Sequence, residues 1–316
     1  MTRLNLFLGT VTLTLAAVSL LWDPMALLTL PADVAQTILL ELRVPRTILG
    51  MAVGATLGLT GAALQGLLRN PLASPDVLGT STGAALGAVV ASYYIGVGGS
   101  FGIAIGGMAG AIIALLLLIL LAGRGASTAT LVLAGVAVSA LAGALTNLAL
   151  SLAPSPFALY DILFWLLGSL ADRSLDHVAI ALPPMLLGCW LAWRGRSGLD
   201  ALALDEDVAT TLGVDVRRLR RDIVIGTGLA VGAGVAAAGA IGFVGLIVPH
   251  LVRPLVRHHP GAALIPSALA GAALLTAADL AVRVPINGQE LKLGVLTALI
   301  GAPFFLHLIL RGKAAS

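Results

Sequence analysis

The sequence predicts an all-α, polytopic membrane protein of about ten transmembrane helices, with N- and C-termini cytoplasmic, as one domain over 1–316. Three observations lead there. Hydrophobic residues fill 59% of the 316 positions and charged residues only 10%, whereas a soluble domain carries about 25% charged residues. The apolar runs are long and continuous, unlike the alternating segments of about ten residues in a membrane barrel. Thirteen of the eighteen Lys and Arg residues fall on one side of the resulting topology, and only Arg43, Arg46, Arg173, Arg283 and Lys292 on the other; the richer side faces the cytoplasm. The expected spans are 4–22, 47–68, 77–96, 101–122, 130–152, 178–194, 219–239, 241–257, 266–283 and 294–311.

The first run is longer than the core of a secretory signal and lacks a clear small-x-small cleavage site, so it reads as a span. The second follows Arg43-Val-Pro-Arg46 and carries Gly50, Gly54 and Gly58 on one face. It ends in Arg69-Asn70-Pro71, with Pro75 four residues on. Two prolines so spaced break a regular helix, which makes 70–76 a short, stiff turn at the inner face. The third and fourth spans repeat the glycine stripe, at Gly79, Gly83 and Gly87 and at Gly102, Gly106 and Gly110. Such faces let helix backbones approach closely, and they suit helices that slide or rock. Pro154 and Pro156 end the fifth span. The apolar 157–170, with Asp161 and Trp165, is too short to span and reads as a short helix at the outer interface. Cys189, the one cysteine, sits in an apolar run and reads as core filler. The seventh and eighth spans are nearly continuous, with 239–242 as the one break between them, placed at the outer face.

The longest cytoplasmic segment, about 195–218 between the arginines at 194 and 221, is the most informative. Asp205 suits a helix N-cap, with Glu206 and Asp207 in the first turn and Gly213 as a stop. Val208, Ala209 and Leu212 form a small apolar face. An apolar patch on an isolated cytoplasmic helix marks a partner site. Arg217, Arg218, Arg220 and Arg221 read as anchors to lipid headgroups.

Several chemistries are missing from the sequence. A phosphate-binding loop needs Gly-Lys followed by Ser or Thr, but Lys292 follows Leu291 and Lys313 precedes Ala314. No ionisable residue falls mid-span, where an ion-driven carrier would place one. Asp279 and Arg283, four apart near the outer end of the ninth span, are expected to pair. His250 and His307 read as packed or capping residues, and no His-x-x-x-His spacing suggests a metal. No nucleophile and base pair can be assembled, so neither catalytic nor metal residues are expected. The net charge of +3 is dispersed over helix ends and implies no nucleic acid. No cofactor is expected on this chain.

Arg43-Val-Pro-Arg46, the glycine-striped helix ending in Gln65, and Arg69-Asn70-Pro-Leu-Ala-Ser-Pro resemble the FecCD family of permease subunits of ABC importers. The resemblance continues through 209–213, Gly242-Phe-Val-Gly-Leu-Ile-Val-Pro-His250 and Gly301-Ala-Pro303, in order along nearly the whole chain. It implies a coupling helix at Asp205, Glu206, Val208, Ala209, Leu212 and Gly213, received by a separate ATPase. It implies that Arg43, Arg46 and Arg283 receive acidic residues of a substrate-binding protein. It implies an inner gate at Asn70, Leu72, Ser127 and Thr128. The implied partners are a second permease subunit, identical or paralogous, two ATPase subunits that carry the ATP, a periplasmic or lipid-anchored binding protein, and membrane lipids. The site is the bacterial cytoplasmic (inner) membrane. The expected cargo is an iron-siderophore chelate, with haem or cobalamin as the alternative within the family and a self-contained secondary transporter outside it.

Overall fold

The structure, a computed structural model, describes residues 2–22, 29–96, 99–123, 127–153, 155–285 and 290–314. Arg124 and Pro154 lie outside the described residues, as do the side chains of Asp161, His307, Arg311 and Lys313. Among the described residues the regular structure is helical throughout. In chain order the helices are α1 (Thr2–Leu20), α2 (Ala32–Leu67), α3 (Thr80–Val90), α4 (Gly99–Ala122), α5 (Thr128–Ser151), α6 (Pro156–Leu166) and α7 (Leu175–Arg194). They continue as α8 (Arg196–Leu202), α9 (Glu206–Thr211), α10 (Val216–Ala238), α11 (Val244–Val252), α12 (Pro260–Val282) and α13 (Leu293–Ala314).

Among the described residues, seven of these, α1, α2, α4, α5, α7, α10 and α12, are long and apolar enough to cross a membrane. Two other expected spans are shorter or irregular. Residues 77–96 resolve into a 3-10 turn (Pro75–Leu78), α3 and a π-helical stretch (Ala91–Ile95). Gly79 has φ 76°, so it is a left-handed joint between two helices and not the first member of a stripe. The eighth span is α11 with a 3-10 turn (Arg253–Val256), whereas α13, with 22 residues, covers the tenth expected span, 294–311.

The second span also starts earlier than expected, because helix runs unbroken from Ala32 to Leu67. Pro45 lacks an N–H and its ring crowds the carbonyl four residues back. The π-helical Ile38–Arg43 lies directly before it, the kind of local widening that absorbs such a fault.

Packing follows the small residues. A Cβ on Gly54, Gly58 or Gly61 would overlap the backbone of Gly271, Ser267 or Gly245, so α2 lies backbone to backbone on α12 and α11. Gly83 and Gly87 meet Gly106 and Gly110 in the same way, which joins α3 to α4. Between apolar helices in lipid, close van der Waals approach replaces the hydrophobic drive that water supplies elsewhere. Gly50 differs from its stripe partners, since it faces the side chains of Leu170 and Thr276.

The break at 239–242 lies elsewhere than expected. Gly239 and Ile241 stand beside Val53, Thr56 and Leu57, near the middle of α2 and not at an outer connection. Gly239 has φ 73° and Phe243 φ 66°. The chain therefore reverses part-way through the bundle. The connection after α6 meets it there: Ser169 N donates to the Ala238 carbonyl at 2.8 Å and Gly294 N to that of Gly168 at 3.5 Å. So α6, expected to rest on the surface, is tied at its C-terminal end into the interior, with Ile162 fully buried.

Candidate functional site

The cytoplasmic helix forms where the sequence places it. The Asp205 carboxylate accepts from Asp207 N at 3.2 Å and caps α9. The backbone N–H groups of Asp207 and Glu206, then Arg69, hold this carboxyl below the usual carboxylate range. At the far end, Gly213 has φ 84°; its N–H bonds the Thr210 carbonyl at 2.9 Å and Val214 N that of Ala209 at 3.0 Å. This is the paired closure that a left-handed glycine permits.

One member of the expected apolar face is corrected. Ala209 is fully buried, and the residues that project are Leu204, Val208 and Leu212, exposed at 69%, 42% and 63%. With six helical residues, α9 is a single turn and a half, so its inner side must be small to seat on α8 and α10. Alanine fits that place; the leucine before the cap fills the outer face instead.

Two further residues hold this helix, and sequence spacing found neither. Arg220, expected at the headgroups, is buried and reaches Glu206 at 3.4 Å. Arg69 reaches Asp205 at 3.5 Å. Arg69 closes α2 in a left-handed conformation, φ 48°, with its own N–H on the Gly66 carbonyl and that of Asn70 on Gln65. The inner turn and α9 therefore touch through one ion pair. Arg69 stood in the Arg-Asn-Pro motif, yet nothing local to it pointed 136 residues away.

In that turn, Asn70 Oδ1 accepts from Leu72 N at 2.9 Å, and Leu72 is 41% exposed. Ser127 caps α5 by accepting from Thr130 N at 3.2 Å, and Thr128 begins the helix. Gln65, fully buried, donates to the carbonyls of Ala73 and Leu246 at 3.3 and 3.2 Å. It thereby ties α2, the turn and α11 together. Gly135 of α5 packs on the Val77 backbone.

The outer arginines, expected to receive acidic residues of a binding protein, have partners within the chain. Arg283 is buried, donating to Asp279 Oδ2 through Nε at 3.0 Å and Nη2 at 2.6 Å. It also donates to Ser19 O at 2.8 Å and Ser19 Oγ at 2.7 Å. Arg46 Nε donates to both Asp279 oxygens, at 3.0 and 3.1 Å, and its Nη2 to Glu290 at 3.2 Å. The expected Asp279–Arg283 pair is thus one edge of a cluster of two cations and two anions that joins α1, α2 and α12. Arg43 Nη1 donates to the Leu20 carbonyl at 3.0 Å. No group of three or more His, Cys, Asp or Glu side chains that could hold a metal ion occurs among the described residues.

The model of the FecCD transport family matches residues 2–311. The Cobalamin import system permease protein BtuC of Halobacterium salinarum is 41% identical over 279 residues, covering 88% of this chain and 74% of its own. The Vitamin B12 import system permease protein BtuC of Salmonella paratyphi A is 41% identical over 278 residues, 86% of this chain and 83% of its own. A solved structure described as an inward-facing conformation of a metal-chelate type ABC transporter superposes with a TM-score of 0.87 at 31% identity. It covers 98% of this chain and 100% of that one.

Proposed function

The chain belongs to the FecCD transport family of ABC importer permeases, and on that premise we propose that it carries a cobalamin-type corrinoid across the cytoplasmic membrane of a bacterium. The observation that carries the cargo assignment is the pair of relatives named as cobalamin and vitamin B12 permeases, each 41% identical over more than four fifths of this chain. This reading displaces the iron-siderophore chelate expected from the motifs. The chelate remains the second reading, favoured by the likeness to a transporter described as metal-chelate type.

In this reading the chain makes and breaks no covalent bond. Two ATPase subunits supply the energy, and each is received by Leu204, Val208 and Leu212 on the capped turn of α9. Arg220–Glu206 holds that turn to α10, and Arg69–Asp205 holds it to the turn that bears Asn70 and Leu72. Movement of the coupling helix therefore reaches the inner gate, with Ser127 and Thr128 on the facing helix, through one ion pair. A second permease subunit completes the pathway. Outside, Arg43 and Arg46 receive acidic residues of a binding protein. Glu290, 45% exposed at its side chain, is the group a partner carboxylate would replace on Arg46. Arg283 takes no part in that contact and holds Asp279 behind it.

The test is transport by the reconstituted complex of this permease with its ATPase and binding protein. ATP-dependent uptake of cobalamin, with no uptake of a ferric hydroxamate, is expected. The reverse preference would assign the chain to chelated iron.

A further inference from the structure

A cavity of about 500 Å³ opens at the cytoplasmic end of the bundle, between the end of α4, the start of α5 and the first turns of α10. Its walls are Ile119, Ala122, Leu131 and Val224, and its rim carries Arg217, Arg218, Arg220 and Arg221 with Asp215. Residues 217, 220, 221 and 224 share one helix face, so the cations and the apolar wall are presented together. Most of the rim charge is already answered. Arg220 pairs with Glu206 and Arg221 with Asp222, while Arg218 lies 3.9 Å from Asp222. The Asp215 carboxylate caps α10 by accepting from Arg218 N at 2.9 Å. Arg217 has no hydrogen bond or ion pair among the described residues. It stands one turn from Arg221, a like-charge spacing that is unfavourable on its own.

We propose that this cavity binds an anionic phospholipid of the cytoplasmic leaflet, its phosphodiester between Arg217 and Arg221 and its acyl chain along Ile119, Leu131 and Val224. The combination of an arginine rim and an apolar wall at a helix end matches an amphiphile. Inorganic phosphate would use the rim and leave the wall idle. Because Arg220 lines the cavity and also holds Glu206, an occupant bears directly on the seating of α9. The inference needs only that α10 enters the membrane from the cytoplasm, and no assignment of cargo.

The experiment uses the full chain in nanodiscs of phosphatidylcholine with or without phosphatidylglycerol, with retained lipid read by native mass spectrometry after release. Wild type is expected to keep phosphatidylglycerol in preference to phosphatidylcholine. The double variant R217A/R221A should keep it about thirtyfold less well, and R217K/R221K should keep it. Val224→Trp, which fills the cavity without changing a charge, should lose it too. Equal retention by wild type, R217A/R221A and V224W would overturn the proposal. Full displacement of the lipid by inorganic phosphate would do so as well, by making this a free-anion site. If R217A/R221A keeps its lipid but no longer binds the ATPase, the rim belongs to that protein and the proposal fails.

Discussion

Asp279 is the single side chain on which the outer end of the bundle turns. Arg46 and Arg283 both close on it, and these three side chains are largely buried, at 15%, 6% and 3% exposure for Arg46, Arg283 and Asp279. Removing the shared anion leaves two cations facing each other away from water, a loss of about 3–5 kcal/mol for a broken buried pair. Asp279→Ala should therefore lower the unfolding midpoint of the detergent-solubilised protein sharply, while Glu290→Ala, at an exposed partner, should change it little. Equal midpoints for the two variants would deny the cluster a structural role. Half of it was legible in the sequence, since Asp279 and Arg283 lie one turn apart. Arg46 was not: its partner is 233 positions away, and only the tertiary path of α2 past α12 brings them together.

Asp205 offers a test by pH at the same scale. Its carboxyl is depressed by backbone N–H groups and by Arg69, so its contribution is present above the ordinary carboxylate range and fades as pH falls through its own lowered value. Amide exchange of 206–213 should accelerate on acidification in the wild type. Asp205→Asn keeps a capping acceptor without a titrating group, and should lose that pH dependence. The same acceleration in both proteins would place its cause elsewhere.

Among elements, α9 shows what a short helix can and cannot reveal in advance. The cap, the acidic first turn and the glycine stop are local, and all three formed as read. The outward face was misassigned by one residue because a turn and a half gives too little periodicity to fix which side is buried. Leu212→Asp should abolish capture of the ATPase subunit without unfolding the permease, as the side chain is already solvated. Ala209→Leu has no room at a fully buried position and should unseat α9, costing about 1–3 kcal/mol locally. If L212D binds the ATPase like wild type, the patch of Leu204, Val208 and Leu212 is not its docking surface. The glycine stripes taught the complementary lesson. Gly54 and Gly58 marked a backbone contact correctly, but a stripe names no partner, and Gly79 had the spacing of a stripe while serving as a joint.

For the molecule as a whole, the informative departure is the reversal at 239–243. Two apolar runs with Gly239 and Gly242 between them are equally consistent with a surface turn. What placed the break inside the bundle was contact with α2, α6 and the start of α13, none of it local. Backbone that leaves helical form at that depth has polar groups to satisfy, and it survives only where protein buries it or water reaches it. Gly239 and Ile241 are buried, but Ala240 is exposed and lines a cavity of about 530 Å³ with Leu166, Gly294 and Leu299. If water reaches the broken helix through that cavity, Ala240 is the residue that would report it. In a Cys189→Ala background, Ala240→Cys should react with a membrane-impermeant maleimide in the assembled transporter, at a rate that changes with nucleotide. Leu13→Cys, 70% exposed mid-way along the apolar α1, should stay unreactive. Equal silence at both positions in every nucleotide state would exclude an aqueous route past the broken helix and leave 239–243 a purely structural joint.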